Sequence, residues 1–338
     1  MRGTMARAWV STASLATALS VLNGIGASPA LAQTGAPPFP SKPFNVIVPV
    51  PPGGLQDSLA RALGLELGRR WNQPVVVQNR AGGNGIVSGV AVVKAPPDGH
   101  TVWMGTVAQL SNDLIPGRSV PFDPAKDLVP TVALVEAGSV LVVWQQSPAK
   151  NLQELIAYAK KNPGQLNYGS FGVGSLPHVD TIALSQQLGM DVVHIPYKGG
   201  IEILQGIMAG QITFSIVGIT ATLPMIKDNR LRALAYGGDK RSTALPDVPT
   251  FPEAGVKGFT TGGWFGWFSP VGTPKPLLER IATDAARVIN APEFREKYVT
   301  AAGLEAMNVG PDAFAERVKA DRASYSQRLK ALGNVTID

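Results

Sequence analysis

The chain has 338 residues, 45% of them apolar and 16% charged, with a formal net charge of +6 and no cysteine. Without cysteine there can be no disulfide, no lipid-modified cysteine and no thiolate zinc site. The positive excess is mild and spread along the chain, so it lacks the concentrated basic tract of a nucleic-acid binder and suits an anionic small molecule.

The first segment has the pattern of an export signal. Arg2 and Arg7 precede an apolar, uncharged run around residues 10–25, and Ala30-Leu31-Ala32 before Gln33 is a small-residue cleavage pattern. Residues 1–32 read as a signal peptide cut after Ala32, which predicts a soluble, exported protein. Removing Arg2 and Arg7 lowers the net charge from +6 to +4. No later apolar run is long and unbroken enough to span a bilayer. Residues 33–43, rich in proline and small residues, predict a disordered lead-in.

Residues 44–50 are a β-rich apolar run stopped by Pro51 and Pro52, and Gly53-Gly54 opens a helical pattern of Leu55, Leu59, Leu63 and Leu67. A strand-turn-helix of this kind leaves the first helical N–H groups unpaired, and the glycines let a small anion approach them. An ordinary βα connection has the same pattern. A Val-rich strand at 74–78, a turn with three glycines at 79–85, a helix at 86–95 and a strand at 101–105 continue a parallel sheet flanked by helices. Residues 128–135 and 139–144 read as two strands separated by Glu136-Ala137-Gly138.

A helix at 152–161, a strand at 166–170, a glycine-rich turn at 169–175, a helix at 177–188, a strand at 192–195 and a helix at 201–209 repeat the βαβ pattern. Strands at 212–217 and 231–236 enclose a helix at 222–228. An aromatic run at 264–270 and helices at 276–289, 292–301 and 311–332 finish the chain. Two α/β lobes follow, 44–138 with 263–338 and 139–262, joined by two crossing strands around a ligand cleft.

Catalytic signatures are weak. No Gly-x-Ser-x-Gly occurs, since Gly169 and Gly172 flank Ser170 at the wrong offsets. His100, His178 and His194 show no metal-ligand spacing, and Ser175 and His178 lie too close along one helix turn for the usual nucleophile–base pairing. Gly83-Asn84-Gly85 lacks the third glycine and the acidic residue of a dinucleotide site, so no cofactor is expected; the glycines read equally as a turn bringing a helix towards the cleft or as plain turn chemistry. His178 sits in the first turn of its helix, where free N–H groups of Gly174, Ser175 and Leu176 could hold an anion; a satisfied surface histidine is the alternative. Trp264, Phe265, Trp267 and Phe268 crowd one strand-like run, with core packing favoured over ligand stacking.

Several motifs occur together: PVPPGGLQD at 49–57, QNRAGGNG at 78–85, PDGHT at 97–101, PYKGG at 196–200, LPDVPT at 245–250, EAG at 253–255 and GTPKP at 272–276. Their order and spacing, along almost the whole mature chain, resemble the Bug family of periplasmic solute receptors associated with tripartite tricarboxylate transporters. The resemblance implies a type II periplasmic-binding-protein fold and a carboxylate held largely through backbone N–H groups and water between two loops. Carried onto this chain, it points to Gly53, Gly54, Gln56 and Asp57 on one lobe and to Ser170, Phe171, Gly172, Gly174, Ser175 and His178 on the other. Tyr197 and Lys198 would lie near the cleft floor, and Thr106, Val107 and Ala108 match a further cleft-lining turn.

Three positions depart from the family pattern: Gln56 replaces a frequent Thr, Phe171 a small residue, and Val217-Gly218 an Asp-Asn pair. Losing a carboxylate from the cleft removes the partner an ammonium group would need. The expected ligand is thus a carboxylate with a less polar body, an aromatic acid or a dicarboxylate. The expected protein is a monomeric, non-catalytic receptor serving permease subunits or a sensor kinase, and the alternative is an exported hydrolase of a small ester or amide.

Overall fold

The computed structural model describes residues 39–197 and 199–330. The expected signal peptide, residues 33–38 of the expected lead-in, Lys198 and the last two residues of the helix expected at 311–332 lie outside the described residues.

Strands β1 (Phe44–Val48), β2 (Val75–Asn79) and β3 (Thr101–Gly105) are parallel, with β1 between the other two. Helices α1 (Leu55–Trp71) and α2 (Ile86–Val93) make the crossovers, and the short α3 (Val107–Leu110) follows β3. Strand β4 (Leu128–Trp144) then runs through both lobes. Its first part pairs antiparallel with β9 (Gly262–Pro270), which lies against β3, and with β10 (Glu305–Val309). Its last part pairs antiparallel with β7 (Phe214–Gly218) and β8 (Leu231–Tyr236). In that second sheet β5 (Leu166–Ser170) runs parallel to β6 (Val192–Pro196) and to β7.

Each sheet is covered on both faces, which explains why its central strands are mostly apolar, while the edge strands β2 and β6 stay partly exposed. In the first lobe, α1 and α8 (Lys275–Ile289) bury Leu59, Leu63 and Ile281 against Phe44 and Trp267, while α10 (Pro311–Lys330) packs Phe314 and Tyr325 beneath Trp103 and Phe268. In the second, α4 (Leu152–Lys161) and α5 (Leu176–Leu188) set Leu155 and Leu184 on Tyr168 and Phe214. Helices α6 (Gly200–Met208) and α7 (Ile219–Lys227) place Ile203, Ile207 and Leu223 on the opposite face. Among the described residues, no helix is long and apolar enough to cross a membrane.

The structure differs from the sequence reading in four places. Residues 128–144 form one 17-residue strand rather than two, because Glu136, Ala137 and Gly138 stay paired with Trp264, Gly263 and Gly262. Gly138 is there for close approach: a Cβ at that position would meet the Tyr236 hydroxyl at 2.1 Å. Residues 39–43, expected within the disordered lead-in, are packed: the Phe39 ring lies 5.0 Å from that of His100 and 6.2 Å from that of Trp71, and Lys42 pairs with Asp98 at 2.7 Å. The helix expected at 292–301 is a one-turn α9 (Pro292–Phe294) followed by a wider and then a tighter turn. Strand β10, with Asn308 at φ 54°, has too little alternation to be read from sequence.

The chain enters the second lobe along β4 and returns just before β9. The crossings lie side by side, with the Gly237 N–H donating to Ser139 O at 2.8 Å and the Thr261 N–H to Gly237 O at 2.9 Å.

Candidate functional site

A cavity of about 450 Å³ lies between the lobes. On the first lobe it is bounded by the β1–α1 loop, the turn before α2 and the start of α3. Asp57 shapes the β1–α1 loop. Its carboxylate accepts the Gly53 N–H at 2.9 Å, the Asn79 amide at 2.8 Å and the Arg61 guanidinium at 2.9 Å, so it grips a loop in which Gly53 adopts φ 88°. Burial alone would raise the Asp57 carboxyl, but these hydrogen bonds outweigh it and bring its pKa down to about 2.

Gln56, one residue earlier, points the other way. Its amide donates to Met104 O at 3.2 Å and to Gln109 Oε1 at 3.4 Å, so β1–α1 and β3–α3 are tied together behind the wall. Thr106 and Gln109 cap α3 reciprocally, side chain to backbone in both directions. Asn84, at φ 50°, donates to Asn112 Oδ1 at 3.1 Å.

The second lobe contributes the turn between β5 and α5. Ser170 Oγ accepts the Gly172 N–H at 3.0 Å, Ser175 Oγ donates to Gly172 O at 2.7 Å, and the Gly174 N–H donates to His178 Nδ1 at 3.2 Å. Gly172 and Gly174 take φ of 95° and 75°. The turn is therefore tied by its own atoms, and α5 begins at Leu176 without a side-chain cap. Its first N–H groups have no intrahelical partner and carry the positive end of the helix dipole. Burial, and then His194 at a ring separation of 4.3 Å, hold the His178 imidazole down to about 4; burial likewise lowers His194. Both rings are neutral at neutral pH.

Of the residues picked out by sequence, Gln56, Thr106, Val107, Ala108, Phe171, Gly174 and Ser175 line the cavity. Gly53, Gly54, Asp57, Ser170, Gly172 and His178 are absent from its wall; Asp57, Ser170 and His178 hold the loops from behind. Tyr197 lines a separate surface hollow with Glu202 and Gln205. Of the Val217-Gly218 pair, Val217 is buried in the core and Gly218 reaches the wall.

Sequence reasoning missed Asn84, Gln109, Arg118, Ser139, Trp264 and Phe265 as lining residues. Gly83-Asn84-Gly85 carried a signal, as a turn approaching the cleft. Trp264 was read with the core, and it is both: 1% exposed, its Nε1 donating to Asp321 at 2.8 Å while its edge meets the cavity. Arg118 had no signal, because the loop between α3 and β4 has no periodicity.

Among the described residues, Arg118 is the one charged side chain in the wall, and no Asp or Glu lines it. Val50, Val107, Phe171, Val173, Leu176 and Phe265 supply apolar surface. Such a cavity can hold a small anion with an apolar body. Among the described residues, the Ser–His side-chain contact is Ser170 Oγ to His194 Nε2 at 2.6 Å. Ser170 is fully buried and outside the cavity wall, so the pair meets no substrate there and the hydrolase alternative finds no support.

The chain is similar to known proteins along most of its length. BugT of Bordetella pertussis is 35% identical over 248 residues, 73% of this chain and 76% of BugT. An R. palustris protein solved with adipate matches with a TM-score of 0.78 at 29% identity, over 87% of this chain and 98% of that one. MatC from Rhodopseudomonas palustris with bound malate matches with a TM-score of 0.74 at 28% identity, over 86% and 100%. The model of the tripartite tricarboxylate transporter family receptor matches residues 59–333, and the chain belongs to that family.

Proposed function

We propose that this receptor binds one small carboxylate with a largely apolar body between its lobes, without turning it over, and that closure on the ligand is what its partner recognises. The carrying observation is the makeup of the cavity among the described residues: no acidic side chain in the wall, one arginine, the uncapped start of α5, and apolar surface from both lobes. An ammonium group would find no carboxylate partner there, which argues against amino acids. The adipate and malate of the two R. palustris proteins are small carboxylates, adipate with an apolar four-carbon body and malate with a polar one.

The reading includes export with cleavage after Ala32, a monomeric receptor with lobes at 44–138 with 263–338 and 139–262, and delivery to inner-membrane permease subunits or a sensor kinase. Asp57, Gly53 and Gly54 act in it by shaping the first loop, and Ser170, Gly172 and His178 by shaping the second.

A thermal-shift screen over adipate, malate, benzoate, nicotinate and glutamate tests it, since a ligand at about a hundred times its dissociation constant stabilises the fold by about 2.7 kcal/mol. A shift with one or more of the non-amino acids is expected. A shift with glutamate alone would refute the reading, and steady consumption of a bound ester or amide would replace it with the hydrolase.

A further inference from the structure

Residues 115–118 form a tight turn with Pro116 and Gly117 at its corners. The Arg118 N–H donates to Ile115 O at 3.1 Å and Gly117 takes φ 77°, the geometry that a Pro-Gly pair favours. Ile115 touches the other lobe: a Cβ on Gly174 would lie 3.2 Å from Ile115 Cδ1. The turn carrying Arg118 therefore abuts the turn that opens α5.

The guanidinium is also aimed. Asn112, 1% exposed, donates through its amide nitrogen to Asn84 O at 2.9 Å and to Gln109 O at 2.8 Å. Two carbonyl partners fix which end of the amide is nitrogen, so Oδ1 is the acceptor, and it takes both the Asn84 amide at 3.1 Å and Arg118 Nη1 at 2.7 Å. None of the described carboxylates lies within ion-pair distance of Arg118, and most of its donor fork remains free. A cation held in one orientation at a cavity wall, without a counterion, is arranged for an anion from outside the chain.

We infer that Arg118, positioned by Asn112, is the countercharge for the ligand's carboxylate and sets the receptor's preference for acids over neutral analogues. The carboxylate bridges the lobes, taking hydrogen bonds from Arg118 on one side and from the first turn of α5 on the other. This rests on the reading that the cavity holds a carboxylate, and it adds which residue recognises the charge. Asn112 is a positioning residue, acting through Arg118.

The test is calorimetry on the whole mature protein with whichever of adipate, malate, benzoate or nicotinate gives the largest thermal shift, at low and high KCl. R118Q should weaken binding at least tenfold and flatten its salt dependence, with the melting temperature of the free protein unchanged. R118K should retain part of the affinity. N112A should weaken binding severalfold in the wild-type background and have no further effect in R118Q. Binding by R118Q within twofold of wild type, or an equal salt dependence in both, would overturn the inference and leave the carboxylate receptor standing. No shift of the wild type with any of the four acids would overturn both.

Discussion

Asp180 on α5 pairs with Arg328 on α10, so one buried ion pair ties the second lobe to the first. The Thr261 hydroxyl, next to the returning crossing, donates to the same carboxylate, and one turn along α10 the Tyr325 hydroxyl donates to Gly174 O in the cleft-lining turn. The lobes are thus joined through α10 as well as through the two crossings. Burial pushes the Asp180 carboxyl up to about 6 against the opposing pull of Arg328 and Thr261. Arg328→Ala would leave that fully buried carboxylate without its cation and should cost about 3–5 kcal/mol near neutral pH. Asp180→Asn, which keeps an acceptor for Thr261 and carries no charge, should cost less. Since the folded pKa lies above the ordinary 3.8, this group stabilises most below that pH and loses its contribution as pH rises through about 6. The Arg328→Ala penalty should accordingly shrink in mild acid, as urea unfolding at two pH values would measure.

His178 works in the opposite direction. Its folded pKa is depressed from 6.5 to about 4, so its contribution is present above about pH 6.5 and lost as pH falls towards 4. The shift corresponds to about 3 kcal/mol. His178→Asn keeps an acceptor for the Gly174 N–H without a titrating ring. In this variant the acid limb of the stability–pH curve should lose a comparable share of its slope, the remainder including His194.

Asp57 governs loop shape. With its pKa lowered from 3.8 to about 2, it contributes on the order of 2 kcal/mol above about pH 4, and that contribution is lost as pH falls through 2. Asp57→Ala should lower the unfolding free energy by about that much and speed amide exchange over residues 53–56. Because Asp57 lies behind the cavity wall, its effect on ligand affinity should be smaller than that of Arg118.

Gly218 offers a gain-of-charge test. A Cβ there meets nothing within 4 Å, its φ is not positive, and it is the N-cap of α7. Gly218→Asp should fold normally, since Asp is a favoured N-cap. It would add a carboxylate to the cavity and should reduce affinity for an acid by about tenfold or more at low salt, with partial recovery at high salt. Unchanged affinity would show that the bound acid keeps clear of the second lobe's wall.

The strand and helix pattern was legible because it is local: Thr101–Gly105, Leu152–Lys161, Leu166–Ser170 and Leu231–Tyr236 have the same bounds in the sequence reading and in the structure. Where the reading failed, the deciding contact was distant. Gly138 looked like a break between strands, and it is a glycine because Tyr236 passes over it. Phe39 sat in a proline-rich stretch, and it is packed because Trp71 and His100 stand beside it.

The sequence by itself determined two α/β lobes, glycine turns opening onto helix N-termini, and motifs that resemble one receptor family. Hydrophobic periodicity and turn chemistry need only near neighbours in the chain. Tertiary structure alone decided which side of each turn faces the cavity. In the first loop Asp57 turns inward to hold Gly53 while Gln56 reaches the cavity, and in β7 Val217 enters the core while Gly218 faces the cleft. It also brought Arg118, from a loop without pattern, to the wall, where the buried Asn112, held by Asn84 and Gln109, accepts its guanidinium through Oδ1.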